Sequence, residues 1–229
     1  MRRLVFLLAA AVAPCLVARP AMAQKAFEGV IDYDVSVGGM SMQIKQTVKG
    51  RHVRQEMLGL PMGTMISLTD AGTMVVTNIM PAQKMYMRVD TRALMEQMPK
   101  GTPQPGPDDF EATGEQETIA GQKCEHYAYT ADDVNFDMCI ASGLGFMPFA
   151  HPGGMAGRGG SPGVGSSDMA AWRARFGNGF VPLSMEMTSQ AGDMTMRATA
   201  IEPKPVSDDL FEIPDGFTEM QMPKGPPGR

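Results

Sequence analysis

Apolar and polar residues alternate at period two along most of this chain. Ile31, Tyr33, Val35 and Val37 alternate with polar or small residues, and beyond Gly38-Gly39 the series Met40, Met42, Ile44, Gln46, Val48 alternates with Ser41, Gln43, Lys45, Thr47 and Lys49. Side chains two apart on a strand share a face, so the pattern predicts a β-hairpin with one wet face. Further strands are expected at His52 to Met57, Thr64 to Thr69, Thr73 to Asn78, Lys84 to Val89, Glu115 to Ile119, Lys123 to Thr130, Val134 to Ile140, Val181 to Thr188 and Met194 to Ile201. Two stretches switch to helical spacing. One runs from Thr91 to Met98, with Leu94, Met95 and Met98 on one side and Pro99 as its stop; the other runs from Ser167 to Phe176, with Met169, Trp172 and Phe176 in line.

Large open sheets curl. The expected fold is therefore mainly β: an incomplete, half-open antiparallel barrel of about 10 strands, with the two short helices packed on its apolar concave face. A closed lipocalin-like barrel is the alternative. Pro103, Pro105 and Pro107 make the segment from Lys100 to Asp109 a stiff connection within the domain. The glycine-rich tract from Gly143 to Ser166 has too little bulk to pack and is expected to be a flexible insertion, with the apolar Phe146, Met147 and Phe149 at its start. Pro223 to Arg229 is a loose tail.

Methionine sets the composition apart. It recurs at every second position in Met40 and Met42, Met85 and Met87, Met185 and Met187, Met194 and Met196, and Met220 and Met222. Such pairs place flexible thioethers together on one sheet face, as a pliable apolar wall that re-packs around varied ligands, as a soft Cu(I) site, or as an oxidisable surface. The histidines and cysteines that usually strengthen a copper site are not interleaved with them, which favours the wall. Its candidate lining is Met40, Met42, Met85, Met87, Leu94, Met98, Trp172, Phe176, Met185, Met187, Met194 and Met196.

The first 23 residues carry an address. Arg2 and Arg3 precede an apolar run from Leu4 to Ala13, and Ala21-Met22-Ala23 supplies the small residues of a cleavage site, so a secretory signal peptide ending after Ala23 is expected, and with it a periplasmic product. One domain then occupies residues 24–222. Cys15 follows Pro14 rather than the small residue of lipoprotein processing, so no lipid anchor is read. No later stretch reaches the roughly 20 apolar residues of a membrane-spanning helix, and stable membrane insertion is not expected. Loss of Arg2, Arg3 and Arg19 leaves 17 of the 20 basic residues against 25 acidic ones, a formal charge of −8. That charge argues against nucleic acid and anionic membrane surfaces as partners.

Cys124 and Cys139 remain after processing, in a compartment that permits disulfides. A tight turn at Ala131-Asp132 would set them directly opposite each other as a cross-strand disulfide, with Tyr127 opposite Phe136, Tyr129 opposite Val134 and His126 opposite Asp137. Catalytic patterns are poor. Gly159-Gly160-Ser161-Pro162-Gly163 matches G-x-S-x-G, but that elbow needs a strand before the serine and a helix after it. His52, His126 and His151 have no metal-ligand spacing, and His126 with Asp137 reads as a surface cross-strand pair rather than an acid-base dyad. No phosphate or dinucleotide fingerprint appears, so no metal and no cofactor is expected.

Four stretches carry a resemblance: Phe27-Glu28-Gly29-Val30-Ile31-Asp32-Tyr33, Met80-Pro81-Ala82-Gln83-Lys84-Met85-Tyr86, Thr118-Ile119-Ala120-Gly121-Gln122-Lys123-Cys124, and Asp209-Leu210-Phe211-Glu212-Ile213-Pro214-Asp215-Gly216-Phe217. Together they resemble an exported bacterial domain family of unknown function, grouped with the lipoprotein-localisation factors LolA and LolB. The resemblance implies a half-open antiparallel barrel closed by helices over an acyl-chain cavity, and it carries over no ligand residue. The expected function is non-catalytic binding of an acyl chain, lipid or lipoprotein. A Cu(I)-binding protein is the alternative, and a hydrolase using Ser161 or His126 with Asp137 is a third.

Overall fold

The computed structural model describes residues 26–90, 107–131, 134–147, 169–177, 179–189 and 192–220. They form one sheet of 13 strands in the order β13-β6-β5-β4-β3-β2-β1-β12-β11-β9-β8-β7, with β10 beside β11. The strands are β1 Glu28–Val37, β2 Met40–Lys49, β3 His52–Leu58, β4 Met65–Asp70, β5 Val75–Met80, β6 Met85–Asp90, β7 Glu111–Ile119, β8 Gln122–Ala131, β9 Val134–Ala141, β10 Gly145–Phe146, β11 Gly179–Thr188, β12 Met194–Pro203 and β13 Thr218–Glu219. The sheet is open between β13 and β7, and the expected mainly-β, half-open architecture is what the chain adopts. Eleven of the strands are six residues or longer; β10 and β13 have two residues each and pair in parallel, the exceptions to an otherwise antiparallel sheet.

Local chemistry explains the punctuation. Gly38 and Gly39 both take positive φ (55° and 83°), the two-residue hairpin turn whose twist matches the flanking strands. At Gly29 (φ 153°) the backbone of β12 comes so close that a Cβ would lie 2.3 Å from the Glu202 carbonyl oxygen. The β1–β12 register shifts between Asp32 and Tyr33, a bulge of the kind that bends a sheet.

Two apolar clusters lie on opposite sides. The larger holds Phe27, Ile31, Tyr33, Ile44, Met138, Trp172, Phe180 and Met185 among others. The smaller, Ile66, Leu68 and Ile79, is covered by Tyr86, Ile213 and Phe217 from the closing segment. Helix α1, Met169–Arg175, packs on the first. It occupies the described part of the expected Ser167 to Phe176 helix. The expected helix from Thr91 to Met98 and the tail 223–229 lie outside the described residues.

Two expectations are corrected. The insertion does not begin at Gly143: Gly145–Phe146 pairs with β11, and Phe146 and Met147 are buried, because an aromatic and a thioether are held there by Phe180 and Gln46. The rest of that tract, 148–166, lies outside the described residues. The β8–β9 register is offset by two residues. Ala131 pairs with Val134, Tyr129 with Phe136, Tyr127 with Met138, Ala128 with Asp137, His126 with Cys139 and Cys124 with Ala141. This register centres the connection one residue further along and sets Tyr129 against Phe136. Cys124 and Cys139 still form a disulfide, diagonally across the hairpin at a Cα–Cα distance of 5.3 Å, within the range such a bond spans.

Candidate functional site

The strand registers bring the alternating methionines onto one face. One row runs Tyr127, Met138, Met185, Met196, Val35, Met42 across six neighbouring strands, and the next runs Tyr129, Phe136, Met187, Met194, Val37, Met40. Further across the sheet Met57 opposes Met65, and Met80 opposes Met85. Met87 lies on the same side, opposite Asn78. Met185 and Met196 are buried, Met42, Met85, Met87, Met187 and Met194 are half-buried, and Met40 is 63% exposed. Met57, Met65, Met80 and Met138 belong to the same wall. Their parity was available in the sequence, but each is a lone methionine in its strand and stands out only once the register is known. Leu94 and Met98 lie outside the described residues.

Trp172 on α1 and Phe176 just beyond it close one end of this face. Tyr127 meets the Phe176 ring edge-on at 5.0 Å, and Phe110 lies 5.5 to 5.6 Å from Tyr129, Phe136 and Trp172. Trp172 is 2% exposed. Both residues are thus packed into the aromatic cluster.

The methionine face of β1 to β6, β9, β11 and β12 carries no charged residue; Asp32, Asp34, Lys45, Arg54, Glu56, Arg88, Asp137, Glu186 and Arg197 all point the other way. Most of its polarity comes from one neutral row, Gln46, Gln55, Ser67 and Asn78, in register on four successive strands, with Thr69 in the next row. Gln55 Nε2 donates to Gln46 Oε1 at 3.0 Å, and Gln46 Nε2 donates to the Met147 thioether at 3.0 Å, a weak acceptor. Tyr33, buried in the same face, donates its hydroxyl to the Pro182 carbonyl at 3.0 Å, and burial pushes its phenol pKa far up. On these nine strands a desolvated charge would have no countercharge; on neighbouring β8, Glu125 lies on the same side and accepts from the Tyr127 hydroxyl at 3.0 Å. The face is chemically fitted to neutral, apolar matter.

At its β7 to β12 end the reverse face is ionic. Glu117 on β7 reaches Arg197 on β12 although β8, β9 and β11 stand between them in the sheet, so the sheet is rolled strongly at this end. His126 Nδ1 lies 2.6 Å from Asp137 Oδ1, and His126 Nε2 lies 3.5 Å from Glu117 Oε2. Burial works against the charged imidazolium, but Asp137, with Glu115 and Glu117, outweighs it and raises the His126 pKa. The Arg197 hydrogen bond lowers the Glu117 pKa. His126 and Asp137 are therefore joined, diagonally rather than directly opposite. A cleft of about 490 Å³ opens nearby, lined by Asp34, Ser36, Gln43, Leu58, Thr195 and Arg197 among others. Ser161 lies outside the described residues.

An open, rolled, mainly antiparallel sheet with a neutral methionine wall on one face and an ionic network on the other defines a half-open β-barrel domain. The chain belongs to the family DUF4412, a domain of unknown function, which it matches over residues 27–217. No curated protein sequence matches it. Among solved structures it is similar to PNGF-II (TM-score 0.43, 13% identity, covering 85% of this chain and 31% of that one) and to MucB (0.43, 11%, 86% and 61%). It is also similar to LprF from Mycobacterium bovis (0.35, 10%, 83% and 90%). The chain spans less than two thirds of the length of PNGF-II and of MucB. No helix among the described residues is long and apolar enough to cross a membrane.

Proposed function

We propose that this protein is a non-catalytic binder of a hydrophobic ligand, an acyl chain, a lipid or an acylated protein, held against the methionine face. The observation that supports the reading is the charge-free methionine wall, in which Met138, Met185 and Met196 follow one another across three strands and Met42 lies beyond Val35 in the same row. Unbranched thioether side chains re-pack at little cost, which suits ligands of varied shape. The pattern of residues 1–23 supports a periplasmic setting. Fluorescent fatty-acid titration of the protein lacking residues 1–23 tests the reading, together with mass spectrometry of lipids extracted from protein isolated from its native periplasm. Saturable binding with co-purifying acyl species is expected. Absence of both would overturn it.

One observation favours a second reading. Met185 opposes Met196 and Met187 opposes Met194, four thioethers on adjacent strands, and thioethers ligate Cu(I). Leucine matches methionine in volume but offers no donor atom. Cu(I) held against a chelator by the wild type and released by Met185→Leu with Met187→Leu, with fatty-acid binding absent from both, would establish the copper reading instead.

A further inference from the structure

We infer that the reverse face holds a latent, redox-gated zinc site whose ligands are Glu117, His126 and the thiolates that the Cys124–Cys139 disulfide conceals. A carboxylate oxygen of Glu117, a ring nitrogen of His126 and the Cys139 sulfur all lie within 4.8 Å of one another. Cys124 contributes a second sulfur, bonded to the first. Thiolate, imidazole and carboxylate are the donor types that Zn²⁺ takes in tetrahedral sites.

The geometry around His126 points the same way. Its Nδ1 lies 2.6 Å from Asp137 Oδ1, which fixes that nitrogen as the donor and turns Nε2 toward Glu117. A carboxylate behind an imidazole is the usual outer support of a zinc-ligating histidine. Asp137 is thus a positioning residue. Arg197, bound to Glu117, opposes a cation and sets the affinity.

In the oxidised protein the sulfurs are spent on each other. A dithiol reductant changes this: its two sulfurs close to a disulfide, two electrons enter the Cys124–Cys139 bond, and two protons follow to give two thiols. Zn²⁺ then displaces those protons as it binds. Disulfide and zinc are mutually exclusive occupants of the same corner.

The test is Zn²⁺ competition against a chromophoric chelator on the chain lacking residues 1–23, oxidised and after reduction by a phosphine. Co²⁺ substitution reads sulfur ligation from the thiolate-to-cobalt charge-transfer band. One zinc per chain is expected in the reduced form, at least about 100-fold tighter than in the oxidised form, with the cobalt band in the reduced form alone. Asp137→Asn should weaken zinc by about 10- to 100-fold, as outer-support changes do, and Arg197→Gln should tighten it. Cys124→Ala frees Cys139 without reductant and should show the band unaided. Should that variant not fold, reduction of the wild type with zinc already present decides: retained near-ultraviolet dichroism supports the site. Equal zinc binding in both redox states, no cobalt band after reduction, or unfolding despite zinc would overturn it.

Discussion

Met185 and Glu186 are neighbours in the chain and face opposite worlds. On one side of β11, Met185 meets Met138 and Met196; on the other, Glu186 meets Asp137 and Thr195. The same three strands thus carry a wall without charge and a surface built from charge. The two faces differ in how they hold the fold. Burial of apolar area stabilises by about 25 cal/mol per Å², so the wall and its aromatic cap contribute the larger share. The ion pairs of the reverse face are partly exposed to solvent, and pairs of that kind contribute little.

The strongest way to break this comparison is at the aromatic cap. Trp172 is almost wholly buried and touches Phe110, Phe176 and Phe180, so Trp172→Ala leaves a cavity and should lower stability by about 3 to 5 kcal/mol in urea unfolding. A loss under about 1 kcal/mol would mean that the helix is not what covers the face.

The next effect belongs to the reverse face, and it is covalent rather than ionic. With Cys124 and Cys139 separated by 15 positions in sequence, the chain-entropy model gives about 3 kcal/mol for the cross-link. Replacing both cysteines by alanine should lower stability by about that amount, read as a shift of the urea midpoint. An unchanged midpoint would mean that native strain or residual structure in the unfolded chain cancels the entropic gain.

What could be read in the sequence follows from the period of the signal. Strand alternation is local, so the hairpins of β1 to β6 and the face of each methionine pair were legible from residues two apart. Register is not local in the same way. Moving the β8–β9 turn by one residue keeps every side chain on its face but shifts every partner by two, which is why the Cys124 and Cys139 pairing was legible while Cys139 opposite His126 was not. The Glu117–Arg197 contact is 80 residues long in sequence and depends on the rolling of five strands. No spacing rule carries that information. The burial of Phe146 and Met147 was missed because the glycines that follow dominate the composition of their window.

The wall itself should tolerate change of chemistry at constant volume. Met185→Leu with Met187→Leu should cost under about 1.5 kcal/mol and leave fatty-acid binding within a few-fold of wild type. A charged substitution on the same face sharpens the contrast: Met187→Glu should abolish binding, since nothing opposite can compensate a carboxylate. Equal tolerance of leucine and glutamate at Met187 would show that ligands do not contact this face.

The smallest effect is expected where an ion pair reaches past three intervening strands. Arg197 donates to both carboxylate oxygens of Glu117, yet the Arg197 side chain is half exposed and that of Glu117 about a third, so water and salt screen the pair. Arg197→Gln should therefore lower stability by less than about 1 kcal/mol, and the difference from wild type should shrink further as salt is raised. Amide exchange on β7 gives the finer reading. If Arg197 only decorates a curl already imposed by the β7–β8 pairing and the disulfide, protection of the Glu117 and Thr118 amides should be unchanged in the variant. If protection there collapses while the rest of the sheet keeps its own, the ionic face holds the edge strand in place, and the division of labour between the two faces would have to be redrawn.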